Sequence, residues 1–81
     1  MKNILEKKEK LVISFKNPAD SFKMEKYVRE NNLGGRLIPL PPEIDVGCGV
    51  AYATENLDEN YWSDVSKKVG IEYGTVKKLL L

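Results

Sequence analysis

The chain has 81 residues, 42% of them hydrophobic and 31% charged, with thirteen basic and twelve acidic side chains for a net charge of +1. A chain of this length holds one domain, and a domain so small buries only about 60% of its unfolded surface, which argues against a deep enclosed site. The balanced charge excludes the basic footprint of a duplex nucleic-acid binder, and with no histidine and a single cysteine the chain cannot build a structural zinc site or offer the usual acid–base group of neutral-pH catalysis.

Residues 1–9 are charged, with only Ile4 and Leu5 as apolar anchors, and read as a frayed or helical tail ahead of a single domain over 10–81. Residues 10–16, Lys-Leu-Val-Ile-Ser-Phe-Lys, are β-branched and aromatic and predict the first strand, with Leu11, Ile13 and Phe15 on one face. Asn17-Pro18 supplies an N-cap and a first-turn proline for a helix near 18–32 that carries Met24, Tyr27 and Val28 on one side, leaves Phe22 elsewhere and stops at Gly34-Gly35. Arg36–Leu40 is a second strand, and Pro39 assigns it to a sheet edge because proline cannot donate to a ladder. After Pro41-Pro42 and a loop, residues 49–53, Gly-Val-Ala-Tyr-Ala, form a third strand of small residues. Asn56 and Glu59 resemble a capping box for a helix near 57–69, where Tyr61, Trp62, Val65 and Val69 recur at helical spacing and Gly70 gives the stop. Residues 72–80 complete the set as a fourth strand. No segment has signal-peptide character or approaches the ~20 apolar residues of a membrane span, so a cytoplasmic protein with a reduced thiol is expected.

The order β-α-β-β-α-β predicts an α+β ferredoxin-like sandwich: a four-stranded antiparallel sheet in the order 4-1-3-2 with both helices on one face. The proline-bearing strand falls at an edge and the small-residue strand at the centre, where a helix can approach closely.

The one cysteine, Cys48, lies between Gly47 and Gly49 at the turnaround of the second and third strands. The plain reading is a small buried hydrophobe. The chemical reading is a nucleophile on a loop. Flanking glycines leave the sulfur open and let amides at 47–49 turn inward as a nest for an anion, such as a thiolate or persulfide. Pro39, Pro41 and Pro42 terminate a strand and also stiffen the loop that presents the thiol. Arg36, at the other end of the hairpin, is a candidate anion partner if the register brings it near; Glu43 and Asp45 read as turn-forming, solvated charges.

Arg36-Leu37-Ile38-Pro39-Leu40-Pro41, then Glu43-Ile44, then Cys48-Gly49-Val50-Ala51 resembles a family of small prokaryotic domains described as sulfur/selenium-carrier-like, over roughly residues 11–78. The family pattern is Arg-x-Ile-Pro-x-Pro, a short spacer with an aliphatic residue, then Cys-Gly. The chain departs from it at Pro42 and near Ala53, where the family tends to carry a basic residue, and at Asp45-Val46-Gly47, where it has small hydroxyl residues. The resemblance implies that Cys48 bears the sulfur or selenium, with Gly49 as its backbone neighbour. Its partners would be a donor enzyme and an acceptor protein.

Such a carrier would not be a stand-alone enzyme and needs one accessible thiol with no cofactor and no metal. Two other classes compete. A protein-interaction or regulatory domain with an incidental thiol could use its edge strands and Leu79-Leu80-Leu81 to pair with another chain, including a second copy. An RNA-recognition module shares the element order and would stack bases on Phe15 and Tyr52, but residues 46–52 lack the leading basic residue and the second aromatic of that signature.

Overall fold

The computed structural model describes residues 8–44 and 47–81. Most of the tail expected over residues 1–9 therefore lies outside the described residues. Its last two positions belong to the sheet: Lys8 and Leu81 exchange two backbone hydrogen bonds of 3.1 Å, and Glu9 opens the first strand.

The elements are β1 (Glu9–Phe15), α1 (Pro18–Glu30), β2 (Arg36–Pro39), β3 (Val50–Thr54), α2 (Glu59–Val69) and β4 (Tyr73–Leu80). All strand pairs are antiparallel, and the spatial order is β2-β3-β1-β4, which is the expected 4-1-3-2 read from the other edge. The short proline-bearing strand is an edge, and β1 and β3 are central. This is the ferredoxin-like α+β arrangement.

Period-two alternation divides β1 between two cores. Leu11, Ile13 and Phe15 join Met24, Val28, Tyr52, Trp62, Val65 and Ile71 beneath the helices. Val12 faces the other way and is fully buried with Ile44, Ala51 and Ala53. A sheet of this topology leaves that second face open, so its burial needs a cover, and the cover is the loop described below. Ser14 is buried on the same strand at a register irregularity between Ile13 and Phe15. Its hydroxyl accepts the Thr75 amide at 2.7 Å, which keeps a buried donor paired where the ladder is interrupted.

Trp62 is 1% exposed, with edge-on aromatic contacts to Tyr52 and Tyr61, and its indole N–H donates to the Asn56 carbonyl at 3.0 Å. The Tyr73 hydroxyl donates to the Trp62 carbonyl at 2.7 Å, and burial pushes its phenol well above the ordinary range.

Two helix boundaries differ from the sequence reading. The N-cap of α2 is Asp58, whose carboxylate accepts from the amides of Asn60 and Tyr61. Asn56 instead accepts from the Asp58 amide, one turn earlier, so the expected Asn56–Glu59 box is replaced by an Asx turn feeding an aspartate cap. Helix α1 stops before Gly34-Gly35. Asn32 takes a left-handed φ of 53°, and the amides of Asn32 and Leu33 return to the carbonyls of Arg29 and Val28, so asparagine closes a Schellman motif usually given to glycine. At its start, Pro18 holds the first turn, while Asn17 makes no side-chain cap bond among the described residues. Gly70, at φ 78°, does end α2, and Ile71 folds back into the core.

Candidate functional site

Ladder pairing of β2 with β3 ends at Pro39 opposite Val50, extended by the Leu40 amide on the Gly49 carbonyl at 3.0 Å. The Ile44 amide then bonds the Pro41 carbonyl at 3.0 Å, closing a turn over residues 41–44. Pro42 takes the second position of that turn, where a fixed φ is favoured. Pro41 is buried and Pro42 exposed. Ile44, 4% exposed, packs on the open sheet face against Val12, Ala51 and Ala53. Asp45 and Val46 lie outside the described residues.

On the far side of the loop, the Cys48 amide donates to the Phe15 carbonyl at 3.0 Å. Cys48 is half-buried and packs against the helix-side cluster. The two anchors therefore grip the sheet on opposite faces, Ile44 on the open side and Cys48 on the helix side. Between exposed Gly47 and Gly49, the cysteine stands at the end of the sheet, immediately before β3.

Each flanking glycine has a backbone reason to be there. A Cβ on Gly47 would lie 3.1 Å from Leu40 Cδ1 and 3.2 Å from Ser14 Cβ, tighter than ordinary contact. Gly49 has φ +98°, a conformation that L side chains rarely adopt, with open space around it. The Cys48 amide is already committed to β1, so it anchors the loop rather than joining an anion nest.

Arg36 is not brought to the thiol. It pairs with Ala53 at the other end of the hairpin, three register steps from Pro39–Val50, which is about 10 Å along the strand. It shares the open face with Ala53, opposite to the side on which Cys48 packs. Pro39 is exposed on the edge strand, and Glu43 is exposed in the turn. The RNA-stacking reading fails on geometry: Phe15 and Tyr52 are 0% and 1% exposed beneath the helices and present no ring to a base.

Sequence reasoning missed the role of Ile44. Its signal was an aliphatic side chain isolated between Glu43 and Asp45 in a loop otherwise free to be polar. Among the described residues no cluster of three or more metal-ligating side chains is present, and no helix is long and apolar enough to cross a membrane.

A family model described as "Putative Se/S carrier protein-like" matches residues 10–77. The chain belongs to that family. The match runs from β1 into β4 and includes the whole 40–49 loop with Cys48. No curated protein and no solved structure matches the chain. Within this family member, the one thiol sits on a loop fixed at both ends and flanked by residues without side chains.

Proposed function

We propose that the protein is a carrier of sulfane sulfur, or of its selenium counterpart, on Cys48. The observation that carries this reading is the placement of the thiol. It is half-buried, at the end of the sheet, between two exposed glycines, on a loop tied to Phe15 on one side and plugged by Ile44 on the other. Membership of the carrier-like family supports the same assignment.

Loading is a transfer between thiols. The Cys48 thiolate attacks the terminal sulfur of a persulfide on a donor enzyme. A bond forms between Cys48 Sγ and that sulfur as the donor's own sulfur–sulfur bond breaks. The electron pair of the broken bond leaves with the donor cysteine, which takes up the proton that Cys48 released. One persulfide and one thiol become one thiol and one persulfide, so no external oxidant or reductant enters. Unloading repeats the step with an acceptor thiol as attacker. Gly49, with open space where a side chain would stand, leaves that side of the loop uncovered, while Gly47 lets the chain pass close to Leu40 and Ser14.

Native-state alkylation tests the reading. Cys48 should react with a small maleimide in buffer at a rate independent of unfolding, and Cys48→Ser should leave the circular dichroism spectrum and melting curve unchanged. A thiol that reacts only in denaturant, or a Cys48→Ser chain that no longer folds, would mark Cys48 as a packing residue.

A further inference from the structure

Helix α1 leaves the outer strip of the sheet's helix side uncovered, and that strip leads to the thiol. Leu37 pairs with Tyr52, and Pro39 with Val50. Tyr52 belongs to the helix-side cluster, so alternation along each strand puts Leu37, Pro39 and Val50 on that side, where Cys48 also packs. All four border solvent: Pro39 is exposed, and Leu37, Val50 and Cys48 are half-buried. Beside Leu37 a pocket of about 310 Å³ opens between α1 and β2, lined by Val28, Leu33, Leu37 and Tyr52, with exposed Glu25 and Arg29 at its rim. Phe22, 65% exposed, stands three residues before Glu25 and seven before Arg29, so it lies in the same helical row and nearer to the start of α1. That start is at the thiol's end of the sheet, because α1 begins three residues after Phe15, whose carbonyl holds the Cys48 amide.

We infer that this shelf is the docking surface for the protein that exchanges sulfur with Cys48, and that the partner presents apolar side chains around its own reactive cysteine. The inference rests on the carrier reading. Transfer brings the partner's sulfur to bonding distance of Cys48 Sγ. Cys48 packs on the helix side, so the surface around the incoming sulfur lies against Pro39, Val50 and Phe22. A lasting occupant, such as a second copy of the chain, would seal the thiol. An exchange partner covers it only while sulfur moves.

The charges fix the partner's chemistry. Lys16 and Lys23 flank the start of α1, and each is tied within the chain, Lys16 to Glu72 at 3.2 Å and Lys23 to Asp20 at 3.5 Å. Neither is left as a lone cation to receive an acidic partner. Phe22, Leu37, Pro39 and Val50 carry no charge, and the pocket rim sets one carboxylate, Glu25, beside one guanidinium, Arg29. Arg36 also borders the pocket but shares the open face with Ala53. The shelf therefore has no dominant sign with which to steer a charged surface, and what it offers is apolar area. Tyr52 in the pocket lies about 13 Å along the chain from Cys48, at roughly 3.3 Å per residue, so pocket and thiol fall within one standard interface of about 800 Å² per partner. Aromatic side chains such as Phe22 are enriched in the centres of such interfaces.

Loading of Cys48 from two donors, followed by intact mass on the full chain, tests it. One donor is a cysteine desulfurase with free cysteine, which must dock. The other is glutathione persulfide, which delivers the same sulfur by the same thiol exchange, releases glutathione and brings no protein surface. Phe22→Asp should lower the loading rate from the desulfurase by about 10- to 100-fold relative to the rate from glutathione persulfide. Leu80→Asp changes a side chain of similar exposure, 64%, at the opposite end of the sheet, and should leave the ratio of the two rates as in the parent. Loading from the desulfurase should change by less than about threefold between about 0.05 and 0.5 M salt, since apolar docking is little screened. Equal ratios for Phe22→Asp and the parent would overturn the inference and leave the carrier reading intact. A fall of more than about tenfold with salt would also overturn it, by assigning docking to charge. So would a parent chain that is dimeric in sedimentation equilibrium and monomeric as Phe22→Asp, which would assign the shelf to a second copy. A parent chain that neither donor loads would remove the carrier reading, and the inference with it.

Discussion

Replacing Ile44 by alanine probes the link between the open sheet face and the thiol. Ile44 is 4% exposed and rests on Val12, Ala51 and Ala53. The substitution removes three methyl or methylene groups, which at about 0.8 kcal/mol each amounts to about 2.4 kcal/mol of lost transfer free energy. A residual cavity adds to this, and buried Ile→Ala changes span about 2–5 kcal/mol. The site is capped by a loop that can settle onto the sheet, so the expected loss is near the lower end, about 2–3 kcal/mol. Ile44→Val should cost about 0.5–1.5 kcal/mol. Urea unfolding followed by the fluorescence of Trp62, which lies on the helix side and reports global unfolding, gives the first readout. Maleimide alkylation of Cys48 under native conditions gives the second. If the loop detaches without unfolding the sheet, the global loss is smaller than 2 kcal/mol and alkylation accelerates instead, because local opening then limits what the anchor can contribute. A variant within 0.5 kcal/mol of the parent, with an unchanged alkylation rate, would refute the claim that Ile44 anchors the loop.

Trp62→Ala should cost about 3–5 kcal/mol, since it empties a fully buried indole site and leaves the Asn56 carbonyl without its 3.0 Å donor; a urea midpoint close to that of the parent would contradict the packing described. Gly35→Ala should destabilise by about 1–3 kcal/mol, because φ is +97° and the new Cβ would fall 2.6 Å from both the Ala53 carbonyl oxygen and the Tyr52 hydroxyl, whereas Gly34→Ala, with nothing within 4 Å, should stay within about 0.5 kcal/mol. Burial raises the Tyr73 phenol above its ordinary value near 10, so the folded chain keeps a proton that the unfolded chain releases; the stability this provides is complete below about pH 10 and declines as pH rises above it. Tyr73→Phe should flatten that alkaline decline at a pH-independent cost of about 1 kcal/mol for the bond to the Trp62 carbonyl, and equal alkaline slopes for the two chains would show that Tyr73 is not its source.

The architecture was legible because each element carried a local mark with a physical meaning. Pro39 placed β2 at an edge and Gly70 with Ile71 closed α2, whereas the small residues of β3 do not admit a helix as expected: Ala51 and Ala53 face the open side beneath Ile44, and Tyr52 is the β3 residue in the helix-side cluster. Boundaries were read less well where two polar residues competed for one role. Asn56 and Asp58 both suit a cap, and only the bonds to Asn60 and Tyr61 separate them. Asn32 took the left-handed position that two later glycines seemed to claim, and Gly35 is needed for a different reason, its close approach to Tyr52 and Ala53. At the site, the proline break and the Cys-Gly pair marked the loop, but period-two reasoning could not show what covers the open face. That cover is a tertiary contact from Ile44 to strands distant in sequence. The distance between Arg36 and Cys48 was equally hidden, since it depends on the β2–β3 register and on the face each residue takes.

The central claim is that Cys48 bears the transferred atom, and intact-mass measurement tests it most directly. The chain is incubated with a cysteine desulfurase and free cysteine, separated from the enzyme, and weighed before and after reduction. The account predicts a gain of one sulfur atom, removed by dithiothreitol and absent from a folded Cys48→Ser chain. An unchanged mass in a chain whose Cys48 is open to maleimide, or a gain that persists in Cys48→Ser, would contradict it.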